Sequence, residues 1–509
     1  MKDSENQSPT WIIAAQDSSG GAGIVADLLT MHDLDVTPSV VITALTAQNS
    51  QRLLGVEACS NDFLALQLEA LAPLPPRAIK IGMIANAEQV RLLTRFLASF
   101  RQHYPLVKIV IDPVLVTSSG YTLAEIERLD EFKLLFAQAD LVTPNASELA
   151  TLTGRELNSP ATVRQAAMAL VQECGCAVLA KGGHSPLESA LCCDLICTPT
   201  SVRAISCERI DTAHSHGTGC SLSSAIAAML ARGESLVDAI TLGKAYVTAG
   251  LRQARAQQSL PGAVAHVGWP VARDDYPRVE SGQSLVGAAL GLTHYWPEAS
   301  TVPLARCRQP LGLYPVVDSV DWIERLLKAG VKTIQLRIKD PQDPQLSVQI
   351  ARSVALSQQY QAQLFINDYW QLAIQYGAYG VHLGQNDIEA GRVDIEAIAQ
   401  AGLRLGISTH GYYELMRALQ LSPSYVAMGH VFATQTKAMA TQPLGLSRLA
   451  RYCALVGSGC PIVAIGGINR SNAESVLEAG ADSLAIVSAI TASDHPEQVV
   501  RELMQIIGE

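Results

Sequence analysis

Short apolar runs, each closed by small or polar residues, alternate along the chain with segments whose apolar positions recur at helical spacing. The runs predict buried strands and the periodic segments predict amphipathic helices. In the first half, strands are expected at 10–15, 39–43, 78–82, 107–112, 139–143 and 176–180, and helices at 22–34, 61–71, 86–101, 124–137, 160–173, 218–231 and 235–256. Such alternation predicts a mostly parallel sheet covered by helices, an α/β fold with its active site at strand C-terminal ends. A seam over 271–307 carries Asp274-Asp275, Ser281-Gly282, Pro297 and Pro303, and reads as a linker between domains at 1–270 and 308–509. Its apolar stretch 284–296 predicts that it is partly docked. Beyond it, strands read at 311–317, 332–337, 362–366, 379–383, 403–407, 424–429, 461–465 and 482–487, each followed by a helical pattern. Eight such units predict a (β/α)8 barrel, whose active site lies on the C-terminal rim.

The chain is 48% hydrophobic and 17% charged, enough to bury large cores and unlike a disordered protein. A net charge of -10 argues against nonspecific nucleic-acid binding and leaves small anionic substrates open. No apolar run is long enough to span a membrane, and the first residues lack an apolar signal core. A cytoplasmic protein is expected, without membrane partners and with its 11 cysteines as reduced thiols. The cluster Cys192, Cys193 and Cys197 lacks zinc-site spacing and reads as small buried hydrophobes.

Two glycine-rich turns open helices in the first half. Asp17-Ser18-Ser19-Gly20-Gly21-Ala22-Gly23 follows the first strand, and Asp17 is either a polar anchor for a ligand or an N-cap. His216-Gly217-Thr218-Gly219-Cys220 offers backbone amides to a transferring phosphoryl group, and Cys220 sits where a helix start lowers a thiol pKa, unless it is simply buried. Lys181 ends a strand and suits phosphate neutralisation. Thr143-Pro144-Asn145 precedes Glu148, which suits organising Mg²⁺ through water. No Walker A pattern is present.

In the second half, Gln335, Arg337 and Lys339 alternate along a strand, so they share a face, a set suited to a diphosphate. Asp368 and Asp387 follow different strands and are placed to share one Mg²⁺. Thr434-Gln435-Thr436-Lys437 adds hydroxyls and a cation. Gly466-Gly467 and Ser488 follow the last two strands, a phosphate site in many barrels.

The first-half motifs resemble the ribokinase-like superfamily, and more specifically its hydroxymethylpyrimidine and hydroxymethylpyrimidine-phosphate kinases. The carrying residues include Asp17 to Ile24, Ala26-Asp27-Leu28, Gln48-Asn49, Lys80-Ile81-Gly82-Met83, Asp112-Pro113-Val114, Lys181-Gly182-Gly183-His184 and His216 to Cys220. Gln16, Val25 and Leu29 depart from the pattern. The resemblance implies a ribokinase-like α/β sandwich in which Gln48 bonds the aminopyrimidine and Asp17 and Gly21 line its pocket. It implies catalytic roles for Cys220, Lys181 and Asp112, and contacts to ATP, the phosphoryl donor, from Asn145, Glu148, Lys181, Gly217 and Gly219. A pyridoxal-type kinase, or a pyrimidine sensor without turnover, is the alternative for this half.

The second half resembles thiamine phosphate synthases through LGLYPVVDS (311–319), TIQLRIKD (333–340), LFINDYW (364–370), GVHLGQ (380–385), LGIST (405–409), GHVFATQTK (429–437) and AIGGI (464–468). Ala433 stands where a proline is frequent. This implies a TIM barrel that joins hydroxymethylpyrimidine diphosphate to thiazole phosphate, releasing diphosphate. Arg337, Lys339 and Lys437 with Mg²⁺ would stabilise the departing diphosphate, and Asp368 and Asp387 would hold the metal. Gln335, Asn367 and Ser408 would position diphosphate or pyrimidine. Thr434, Thr436, Gly467, Val487 and Ser488 would hold the thiazole phosphate. Both families tend to oligomerise, so a homo-oligomer is open.

Overall fold

A computed structural model describes residues 9–49, 52–115, 129–183, 190–256, 262–308, 310–434 and 442–509. The chain forms two compact units, Met1–Leu292 and Thr293–Glu509.

The first unit is built on a mixed sheet. Its strands are β1 (Thr10–Asp17), β2 (Pro38–Gln48), β3 (Leu53–Ala58), β4 (Ala78–Ile81), β5 (Lys108–Ile111), β6 (Leu141–Val142), β7 (Ala177–Ala180), β8 (Leu191–Cys197), β9 (Val202–Glu208) and β10 (Arg278–Glu280). Their order is β10-β9-β8-β7-β6-β5-β4-β1-β2-β3. β2, β1, β4, β5, β6 and β7 run parallel, while β3 at one side and β8, β9 and β10 at the other are antiparallel. Strand β1 reads TWIIAAQD with little alternation because helices cover both faces of the sheet. Trp11 at its start is fully buried against Phe100, ring centroids 5.2 Å apart. The chain leaves β1 for a neighbour on each side, and such a switch point opens a crevice at the strand C-terminal ends. Asp17 ends β1 at that crevice.

The stretch read as a linker divides between the units. Arg278–Glu280 pairs with β9, and Leu290 and Leu292 join the core of the first unit. Thr293 onward packs on the second unit: Trp296 Nε1 donates to the Arg417 carbonyl at 3.1 Å, and Ser300 Oγ to Glu396 at 2.7 Å.

The second unit is a closed barrel of β11 (Leu313–Val317), β12 (Thr333–Leu336), β13 (Gln363–Asn367), β14 (Gly380–Leu383), β15 (Arg404–Thr409), β16 (Tyr425–Gly429), β17 (Ile462–Ile465) and β18 (Ser483–Ile486). All neighbours are parallel, so the eight C-terminal ends share one rim. Tyr314, Phe365 and Tyr425 fill the interior, with Phe365 and Tyr425 edge to face at 5.1 Å. The barrel closes around these rings because small residues face them. A Cβ on Gly406 would lie 2.1 Å from the Tyr425 ring. Among the described residues, no helix is long and apolar enough to cross a membrane.

Candidate active sites

In the first unit the two glycine-rich turns lock together. A Cβ on Gly217 would meet the Gly21 carbonyl at 2.0 Å, and Gly217 itself has φ +80°. Both facts demand glycine there. The close approach brings His216 Nε2 to within 2.8 Å of Asp17 Oδ2. Asp17 also accepts from the Ser19 and Ala22 amides at 2.9 and 3.0 Å. Burial pushes its carboxyl pKa up, but the bonds from His216 and Ser19 outweigh that and hold it below the usual value. Asp17 therefore ties the two turns together rather than capping the next helix, whose N-cap position is Ala22.

The helix Thr218–Ala231 starts over a buried pair. Lys181 Nζ lies 2.7 Å from Asp112 Oδ1, which also accepts from Thr143 Oγ1 at 3.0 Å. Burial opposes both charges, yet each is held ionised by the other: Asp112 is lowered and Lys181 raised. A Cβ on Gly219 would come within 3.3 Å of Lys181 Nζ and 3.4 Å of Asp112 Oδ2, so a side chain there would crowd the pair. Glu148 caps its helix through the Asn145 amide at 2.7 Å, and burial, opposed by Lys181, raises its pKa to about 7. Below them Lys80 and Asp27, both fully buried, pair at 2.6 Å. Asp17, His216, Asp112, Lys181, Glu148 and Lys80, with Gln48, line one cavity of about 920 Å³, while Asp27 lies behind its lining.

One expectation is corrected. The helix start does not lower the Cys220 thiol. Burial pushes it up to about 11, against the partial relief of the Lys80 ammonium. The field of a helix terminus is smaller than the cost of desolvating a thiolate in this pocket.

The barrel's polar residues line its C-terminal rim. Asn367 ends β13, and Asp368, at φ +68°, is the next residue. Burial first and the neighbouring Asp387 carboxylate second push Asp368 up to about 6, against the pull of Arg337. Asp387 lies in the single-turn helix Gln385–Glu389, where its Oδ2 accepts from the Gly384 amide at 3.1 Å. A carboxyl whose proton affinity is raised by a neighbouring carboxylate suits sharing a divalent cation with it, with substrate oxygens and water completing the shell. Among the described residues, no group of three or more His, Cys, Asp or Glu is placed to hold a metal by itself.

Under the rim runs a buried chain of hydrogen bonds. Tyr314 bonds the Gln335 side chain, and its hydroxyl lies 2.8 Å from that of Tyr425. His382 Nδ1 lies 2.8 Å from the Tyr425 hydroxyl, and its Nε2 lies 2.8 Å from Ser408 Oγ. Burial, then the Arg337 charge, pushes His382 down to about 3, so the ring is neutral. The chain links Gln335 to Ser408 across the barrel.

The other expected residues are less closely joined. Strand β12 ends at Leu336, so Arg337 and Lys339 lie beyond its alternation, Arg337 half-buried and Lys339 exposed. Gly467 has φ +67° and packs against the loop after β16, where a Cβ would meet the Ala433 carbonyl at 2.7 Å. Thr434 is half-buried on that loop, Val487 is half-buried after β18, and Ser488 is exposed at the start of a short helix. Thr436 and Lys437, together with His184, lie outside the described residues. The sequence reading did not single out His216, Lys80 and Asp27 as site residues, nor His382, Tyr314 and Tyr425. The signal for the last three was a polar position on inward-facing strands of a barrel.

Two family models match the chain. The one described as phosphomethylpyrimidine kinase matches residues 17–264, and the one described as thiamine monophosphate synthase matches 313–490. The thiamine-phosphate synthase of Pectobacterium atrosepticum is 53% identical over 207 residues, which are 41% of this chain and 96% of that relative. Phosphomethylpyrimidine kinase from Clostridium difficile has a solved structure 33% identical, covering 47% of this chain and 98% of its own, with a TM-score of 0.41. Pyridoxal kinase from Staphylococcus aureus in complex with ADP is 27% identical, covering 54% and 98%, with a TM-score of 0.48.

Proposed function

The chain belongs to the thiamine-phosphate synthase family and carries a phosphomethylpyrimidine kinase unit ahead of the synthase, and from this premise we propose how each unit works. The whole is a bifunctional transferase of thiamine biosynthesis. The first unit phosphorylates 4-amino-5-hydroxymethyl-2-methylpyrimidine and its monophosphate with ATP. The second condenses the resulting diphosphate with thiazole phosphate, giving thiamine phosphate and diphosphate. The observation that carries this reading is that the two sets of motif residues converge separately, one on a single cavity and the other on a single barrel rim.

In the kinase reaction the pyrimidine's oxygen attacks the γ-phosphorus of ATP and ADP leaves. Asp17, Gly21 and Gln48 orient the pyrimidine. The amides of Gly217, Gly219 and Cys220 cradle the transferring phosphoryl group, and Lys181 neutralises it. Asp112 holds Lys181 in place at 2.7 Å. Asn145 and Glu148 face the nucleotide side. A thiol whose pKa is pushed to about 11 is not ionised at neutral pH, so Cys220 packs against the reacting group rather than removing its proton.

In the synthase reaction the C–O bond to diphosphate breaks first, pushed by the aminopyrimidine's own electrons. The thiazole nitrogen then captures the carbocation. Arg337 and Lys339 meet the charge of the departing diphosphate, as does Lys437 from the sequence pattern. Asp368 and Asp387 hold Mg²⁺, which when bound neutralises diphosphate charge. Gln335, Asn367 and Ser408 position the pyrimidine and diphosphate, with Ser408 oriented by His382. Thr434, Thr436, Gly467, Val487 and Ser488 hold the thiazole phosphate.

ATP consumption by the purified chain tests the kinase assignment. It is expected to depend on hydroxymethylpyrimidine or its monophosphate. Consumption driven by pyridoxal and not by the pyrimidine would overturn it.

A further inference from the structure

We propose that Trp296 and Arg417 are positioning residues of the barrel site, clamping the helix Gln385–Glu389 so that Asp387 is held where a cation would meet it. The inference rests on the reading of Asp368 and Asp387 as the metal-holding pair.

Arg417 lies on the helix Tyr412–Gln420 and is 4% exposed. Its Nε–H donates to Gln385 Oε1 at 2.6 Å, and another guanidinium nitrogen pairs with Glu389. These two anchors stand two residues before and two residues after Asp387. Gln385 in turn donates through Nε2 to the Ser408 carbonyl at 2.6 Å, which ties the small helix to the end of β15. A helix of a single turn has too few internal bonds to hold its own orientation. The planar fork of one guanidinium grips both of its ends, which an ammonium cannot do.

Trp296 closes the clamp. Its ring covers the guanidinium, with Cζ 4.3 Å from the ring centroid, and Nε1–H donates to the Arg417 carbonyl at 3.1 Å. The indole therefore keeps water from competing for the guanidinium and fixes the backbone that carries it. Trp296 lies ahead of the residues matched by the synthase family model, 313–490, on the segment that leads into the barrel. The approach is itself fastened: Ser300 and Thr301 donate to Glu396 at 2.7 and 2.8 Å.

The test is Mn²⁺ binding to the full-length chain without substrates, read as loss of the free-ion electron paramagnetic resonance signal. The Mn²⁺ bound by wild type and lost in Asp387→Ala defines the barrel site. Arg417→Met and Trp296→Leu are expected to weaken that site about tenfold, the lower end of what loss of an outer-sphere partner costs. Trp296→Phe, which keeps a ring face over the guanidinium, is expected to stay much closer to wild type. Kinase turnover should be unchanged throughout. Where a large substitution fails to fold, Arg417→Lys takes its place, since it keeps the charge but cannot grip Gln385 and Glu389 together, and it too should weaken binding. Unchanged Mn²⁺ affinity in the folded variants overturns the clamp and leaves the metal reading intact. Mn²⁺ binding unaffected by Asp387→Ala overturns the metal reading, and the clamp with it.

Discussion

Burial drives the Cys220 thiol up to about 11 and the His382 imidazole down to about 3, and both shifts have measurable consequences. A general base typically contributes 10²–10⁴-fold, so if Cys220 were one its loss would cost on the order of that. A protonated thiol that only packs predicts instead that Cys220→Ser lowers kinase kcat by less than about tenfold, and a loss of a thousandfold would contradict it. For His382 the sign follows from the depressed pKa. The native ring stays neutral down to about 3, whereas the unfolded chain takes up a proton below about 6.5. The stability His382 contributes is therefore present above pH 6.5 and is lost progressively as pH falls toward 3. His382→Gln should flatten the acid limb of barrel unfolding, measured as the fall in urea midpoint between pH 7 and pH 5. An equally steep fall in the variant would show that other groups set that limb. That His382 bridges Tyr425 and Ser408 could not be read from GVHLGQ alone, because its partners come from strands far away in sequence.

At the scale of elements, the local grammar of strand, turn and helix was largely legible. Residues 22–34 and 218–231 were expected as helices opened by glycine-rich turns, and the structure has Gly23–Asp33 and Thr218–Ala231. All eight barrel strands fall within a few residues of their apolar runs. Strands β3, β8, β9 and β10 were missed, as was the helix Ala146–Thr153. The missed strands are the antiparallel ones. β3 follows β2 and β9 follows β8 with no helix between, β10 is only three residues long, and β8 and β9 mix cysteine, serine and charge with apolar residues, so neither alternation nor a clean apolar run marks them. The mutual lock of the two glycine turns was also invisible, since it is a contact across the sheet. It predicts that Gly217→Ala, which must move the Gly21 carbonyl and adopt φ +80°, destroys pyrimidine-dependent ATP turnover. Thiamine phosphate formation from the pyrimidine diphosphate should be unchanged in the same preparation. Retained kinase activity would mean that the turns need not touch.

For the whole molecule, the seam and the change of strand–helix pattern across it pointed to two domains, but the seam's fate was decided by packing. Its apolar residues Leu290 and Leu292 complete the first unit's core, while Trp296 seats on the second. With each site built inside one unit, the two activities should separate by mutation. Lys181→Ala removes the cation that Asp112 holds and should abolish kinase turnover while sparing the synthase. Asp387→Ala should cripple thiamine phosphate formation and weaken its Mg²⁺ dependence while sparing the kinase. A variant that lost both activities while remaining folded would contradict that independence.

One coupled assay tests the central claim most directly. Purified chain receives hydroxymethylpyrimidine, thiazole phosphate, ATP and Mg²⁺, and thiamine phosphate is quantified; a parallel tube starts from the pyrimidine diphosphate and omits ATP. Two working sites predict thiamine phosphate in both tubes, whereas product in the second alone would contradict the kinase assignment and leave the first unit a binding module or a kinase for another substrate.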